Sequence, residues 1–98
     1  MMLYAITYSF CDDLERHQDF FEELTDIGEI DCPFDGCILL YSVLTAFGIR
    51  KRILRFFNRY DHVCISKLYR DHAAGKLPEH TKKFIAGHIP NDPTKTGA

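Results

Sequence analysis

Two adjacent carboxylates, Asp12 and Asp13, follow the aromatic-rich segment Tyr8-Ser9-Phe10-Cys11. In a dimer they could gather a divalent metal such as Mg2+ near a two-fold axis. They could equally cap the helix that follows and place negative charge at its positive end, and we adopt that simpler reading. Ser9 could act as a nucleophile, but the sequence places no histidine to activate it. Cys32-Pro33-Phe34-Asp35-Gly36-Cys37 has C-x4-C spacing, yet no second close Cys or His pair follows to complete the four ligands of a zinc site. His17, His62, His72, His80 and His88 are scattered rather than spaced as metal ligands. The catalytic candidates reduce to Asp12 and Asp13, and without them the chain needs no cofactor.

A second chemistry is electrostatic. Lys51, Arg52, Arg55 and Arg59 recur on one side of a predicted helix, where they could neutralise phosphates, and Tyr4 or Tyr8 could stack on bases if their sheet face were open. A solvated basic helix face has the same pattern. An RNA-recognition module would carry a Gly- and aromatic-rich segment, and Cys64-Ile65-Ser66-Lys67-Leu68-Tyr69 does not match one. Residues 1–45 hold ten acidic groups against Arg16 alone, whereas residues 46–98 hold eleven basic groups against four acidic ones. With a net charge of −2, the two halves are expected to pack together and compensate each other. A dedicated nucleic-acid binder would have an overall basic balance.

Walker A, GxGxxG, HExxH and GxSxG patterns are all absent, which removes support for phosphate cradling, dinucleotide binding, zinc proteolysis and the hydrolase elbow. The chain has 98 residues, 46% of them apolar and 27% charged, which suits one globular domain. A domain this size buries roughly 60 to 70% of its unfolded surface, enough for a single core. Four cysteines without a recognisable export signal imply free thiols and a cytoplasmic protein, and no apolar run is long enough to span a membrane.

The elements that must position these groups follow from periodicity. Met2–Phe10 alternates as a central strand, with Leu3, Ala5 and Thr7 on one face and Tyr4, Ile6 and Tyr8 on the other. Leu14, His17, Phe20, Phe21, Leu24 and Ile27 form the apolar stripe of a helix over 13–27, stopped by Gly28. Residues 29–32 and 37–43 read as a hairpin around Pro33-Phe34-Asp35-Gly36, with the first arm at a sheet edge. Thr45 caps a helix over 46–59 whose stripe is Ile49, Ile53, Phe56, Phe57 and Tyr60. Residues 61–69 form a fourth strand. Pro78 opens a short helix carrying Phe84 and Ile85.

Strand, helix, strand, strand, helix, strand is the α+β, ferredoxin-like βαββαβ order: a four-stranded antiparallel sheet with two helices on one face and a C-terminal helix. The expected domain is 1–89, with 90–98 a mobile tail. The face opposite the two helices needs a cover. With Tyr4, Ile6, Tyr8, Ile38, Leu40 and Cys64 assigned to it, an apolar face of this size predicts a homodimer, unless residues 77–89 fold back over it.

Leu3-Tyr4-Ala5-Ile6-Thr7-Tyr8, the helix ending at Gly28 and Asp61-His62-Val63-Cys64-Ile65-Ser66 resemble the small ferredoxin-like proteins around the CRISPR adaptation subunit and the VapD-type ribonucleases. Gly75-Lys76-Leu77-Pro78 is similar to the closing segment of the SinR-named branch of that group. The resemblance spans about 85 residues, is one of pattern, and implies a homodimer. It also implies an aspartate ending the first strand in metal-dependent nucleases, where this chain has Ser9. The expected function is therefore a non-catalytic homodimeric interaction module with a protein or nucleic-acid partner. The alternative is a metal-dependent endoribonuclease using Asp12 or Asp13.

Overall fold

The computed structural model describes residues 1–11, 14–70 and 74–93. The elements are β1 (Met2–Ser9), α1 (Leu14–Ile27), β2 (Glu29–Phe34), β3 (Cys37–Ser42), α2 (Ala46–Ile53) with a 3-10 turn at Leu54–Phe56, β4 (His62–Leu68) and α3 (Glu79–His88). The sheet order is β2-β3-β1-β4 and every neighbouring pair is antiparallel. β1 and β3 are therefore central, and β2 and β4 are the edges, which is the ferredoxin-like arrangement the element order predicts. None of the described helices is long and apolar enough to cross a membrane.

The core lies between the sheet and the α1–α2 layer. Phe20 and Leu24 from α1, and Ile49 and Ile53 from α2, pack on Tyr4, Ile6, Ile38 and Leu40, all at most 1% exposed. Each such side chain contributes about 1.5 to 3 kcal/mol by leaving water. The Tyr4 hydroxyl donates to the Leu44 carbonyl at 2.6 Å, so its polar end is satisfied at the core's rim.

This placement corrects the expected interface. Tyr4, Ile6, Ile38 and Leu40 are not on an open face but form the centre of the core, and Tyr8 packs beside them against Phe20. Alternation could not decide the side, because β1 and β3 are apolar on both faces: Leu3 is as buried as Tyr4, and Leu39 nearly as buried as Leu40. Cys64 does lie on the second face, opposite Thr7.

Local details differ from the periodic reading in two further places. The turn of the β2–β3 hairpin is Asp35-Gly36, with Pro33 and Phe34 still in β2, and Gly36 has φ +85°, the left-handed region that favours glycine. α2 ends at Ile53 rather than near 59, and Tyr60 is exposed instead of joining the stripe. Beyond the 3-10 turn, Asn58 Oδ1 accepts from the Tyr60 amide and Asp61 Oδ2 from the Asn58 amide, so side chains take over the bonds that a longer helix would make. Gly28 does follow α1, but for a steric reason: a Cβ there would collide with the Tyr41 carbonyl oxygen.

Candidate functional site

The second sheet face carries Leu3, Ala5 and Thr7 of β1, Cys37, Leu39 and Tyr41 of β3, and Cys64, Ser66 and Leu68 of β4. α3 crosses its β2–β3 side and polar bonds hold it there. Thr81, fully buried, donates from Oγ1 to Asp31 Oδ2 at 2.7 Å, and His80 Nδ1 meets Asp31 Oδ1 at 2.8 Å. At the far end, His88 Nε2 lies 2.6 Å from Glu29 Oε2. The segment that could cover this face within the chain therefore does so, but only over part of it.

Between α3 and the sheet runs a groove of about 550 Å³, lined chiefly by Phe34, Cys37, Leu39, Leu68, Leu77 and Ile85. The β2–β3 register creates one of its walls. Asp31 pairs with Leu39 and Phe34 with Cys37, so Cys32 and Pro33 together oppose Ile38 and form a bulge. A proline is tolerated there because an edge strand need not donate its amide. The bulge brings Phe34 onto the groove side, where it stands 60% exposed. Burial pushes the Cys37 thiol above the usual cysteine range, with Cys32 adding to the effect.

The remaining half of the face, along β1 and β4, is open and carries small polar side chains. Thr7, Ser9, His62 and Cys64 border a shallow recess of about 270 Å³. Here the fold supplies what the sequence could not: His62 is the direct cross-strand partner of Ser9. Among the described residues no hydrogen bond joins the two side chains, and no group of three or more His, Cys, Asp or Glu residues could hold a metal ion. Asp12 and Asp13, the carboxylate candidates, lie outside the described residues.

The basic residues divide. Arg52 Nε donates to Glu23 Oε1 at 2.7 Å, and Arg55 Nη2 lies 3.4 Å from Glu23 Oε2, so both reach across to the acidic helix α1. The Arg52 hydrogen bond is the main reason the Glu23 carboxyl is held below its ordinary range. Arg59 folds onto Tyr60, donating to its hydroxyl at 2.6 Å, and Lys51 is exposed. The compensation expected from the charge division is thus present between α1 and α2.

A buried anchor that sequence reading did not single out lies near the end of β1. Asp61, 8% exposed, accepts from the Cys11 amide at 2.9 Å, the Asn58 amide at 2.8 Å and the Arg16 guanidinium. Burial opposes its charge, but the two amides and Arg16 outweigh that and hold the carboxyl well below the usual carboxylate range.

No protein-family model matches the chain, and no curated protein matches it. The chain is similar to the crystal structure of a hypothetical protein, TT1823, from Thermus thermophilus, with a TM-score of 0.57 and 23% identity over 79% of this chain and 94% of that one. At that identity the likeness is one of fold.

Proposed function

We propose that the protein is a non-catalytic interaction module that works as a homodimer through the groove beneath α3. The groove and Phe34 support this reading together: a large aromatic side chain stands exposed at the mouth of an apolar cleft of about 550 Å³. In a two-fold arrangement each copy would present one knob and one hole, so Phe34 of one chain fills the groove of the other. The resemblance to the CRISPR adaptation subunit and the VapD-type ribonucleases points to the same assembly. Ser9, where nucleases of that group carry an aspartate, favours a binding role for the dimer, with a protein or nucleic acid as its onward partner.

Light scattering tests this reading directly. The wild-type chain is expected at twice its monomer mass, and Phe34→Asp at the monomer mass, because a buried unpaired carboxylate opposes association. A monomeric wild type, or a dimer indifferent to Phe34→Asp, overturns it. Mg2+-dependent RNA cleavage lost in Asp12→Asn or Asp13→Asn would overturn the non-catalytic assignment.

A further inference from the structure

We infer that the edge strand β4, together with α2, is a docking site for an extended segment of a partner protein that alternates aliphatic residues and carries acidic ones. Such a segment would add a fifth strand to the sheet. The site gives the onward partner of the proposed module its chemistry, and it stands whether or not the chain dimerises through the groove beneath α3.

The two edges of the sheet are unlike. β2 is guarded: the bulge at Cys32-Pro33 breaks its register, and α3 holds its Asp31 and Glu29. β4 pairs in unbroken register with β1 from Leu68 back to His62, and among the described residues no strand pairs with its other side. Alternate amides and carbonyls along these residues therefore point outward, a ready template for another strand.

The register also shows what that strand would meet. Val63, Ile65 and Lys67 lie opposite Tyr8, Ile6 and Tyr4, so they share the face that the helices cover. α2 stops short of sealing it. A recess of about 210 Å³ remains, lined by Ala46, Phe47 and Arg50 of α2 and by Val63 and Ile65 of β4. Phe47 stands 83% exposed beside it. The recess has room for an aliphatic side chain, and a strand laid along β4 sends every second side chain to that face.

Charge selects the occupant. Neither α2 nor β4 contains an acidic residue; Arg50 borders the recess, and Lys67 continues the same face of the strand. Among the described residues neither side chain has an ion-pair or hydrogen-bond partner, whereas Arg52 and Arg55 are held by Glu23. A second copy laid β4 against β4 would bring like charges together and offer no carboxylate. An acidic partner satisfies Arg50 and Lys67, and the open backbone edge with its aliphatic recess favours a peptide over a nucleic acid.

Nuclear magnetic resonance on the full 15N-labelled chain tests the site with the peptide acetyl-Glu-Thr-Ile-Thr-Val-Thr-Asp-amide, which sets its acidic and aliphatic residues on one face. Saturable shifts are expected in residues 62–68 and at Phe47 and Arg50, with slowed exchange at alternate β4 amides. Methylating one alternate set of the peptide's amide nitrogens should abolish binding, and methylating the other set should leave it, the signature of strand pairing. Phe47→Ala and Arg50→Glu, both at exposed positions, should each weaken binding, the second about tenfold or more. Arg50→Glu should also favour a peptide with Lys in place of both acids. No β4 shift at millimolar peptide, equal effects of the two methylated sets, or indifference to Arg50→Glu would overturn the site, as would β4 shifts produced by oligouridylate and not by the peptide. Light scattering on the same samples reads the dimer separately. A monomer that binds the peptide sinks the groove reading alone, and a dimer blind to the peptide sinks the strand site alone.

Discussion

The two faces of the sheet are covered by different physics. On one, α1 and α2 seal Tyr4, Ile6, Ile38 and Leu40 at no more than 1% exposure, and apolar burial supplies the hold. On the other, α3 is tied at Asp31 and Glu29 through Thr81, His80 and His88, and an apolar groove remains beneath it. Non-directional burial is hard to undo piecemeal, whereas a few directional polar bonds can be broken one at a time. The first face makes the fold, and the cover of the second depends on a few bonds that single substitutions can remove.

The sharpest way to break that contrast is a pair of adjacent truncations. Leu40→Ala, in the sealed face, is expected to cost about 2 to 5 kcal/mol in urea unfolding. Leu39→Ala, in the groove wall, should cost about half as much, since an opening already adjoins it. Equal losses would mean that both faces pack alike and that the groove is no site. A smaller effect concerns the charged anchor near the sealed layer. Because the folded-state carboxyl of Asp61 is depressed, its contribution is present above the ordinary carboxylate range and is lost as pH falls through and below it. Wild-type urea midpoints should therefore drop more steeply between about pH 5 and 2 than those of Asp61→Asn; parallel profiles would remove Asp61 as the acid-sensitive anchor. The smallest effect belongs to the rim of α1 and α2. Arg55→Ala should change stability by no more than about 1 kcal/mol, and less in high salt, because its guanidinium is largely solvated and Arg52 still holds the Glu23 carboxylate. A salt-insensitive loss would mark it as part of the sealed layer.

Much of the fold was legible in the residues because two periodicities alternate cleanly along the chain. Phe20 and Leu24 on a helical stripe, and the alternating Met2–Phe10 segment, specify the helix-on-sheet layer without further help. Which face of β1 the helices cover was not legible, since Leu3 and Tyr4 are equally suited to burial and only tertiary contact chooses between them. Little of the candidate site could be read locally. Phe34 reads as a turn residue until the bulge at Cys32-Pro33 turns it into the groove. His88 and Glu29 lie 59 residues apart and meet only once α3 has docked. The pairing of Arg52 and Arg55 with Glu23 was the exception, because whole-segment charge survives without knowledge of exact contacts.

The sheet order also bears on how the chain is made. β1 leaves the ribosome first but lies between β3 and β4, so Leu3 waits for Tyr41 on one side and Leu68 on the other. Until α2 emerges, Glu23 lacks its arginine partners, and until β4 emerges the central strand β1 has one open edge. Closure comes late and all at once, by a long-range pairing with a high loop-closure cost. During synthesis, then, the stretch from Met2 to Ser9 keeps an unpaired edge until the last strand arrives, and slower synthesis before β4 would lengthen that exposure.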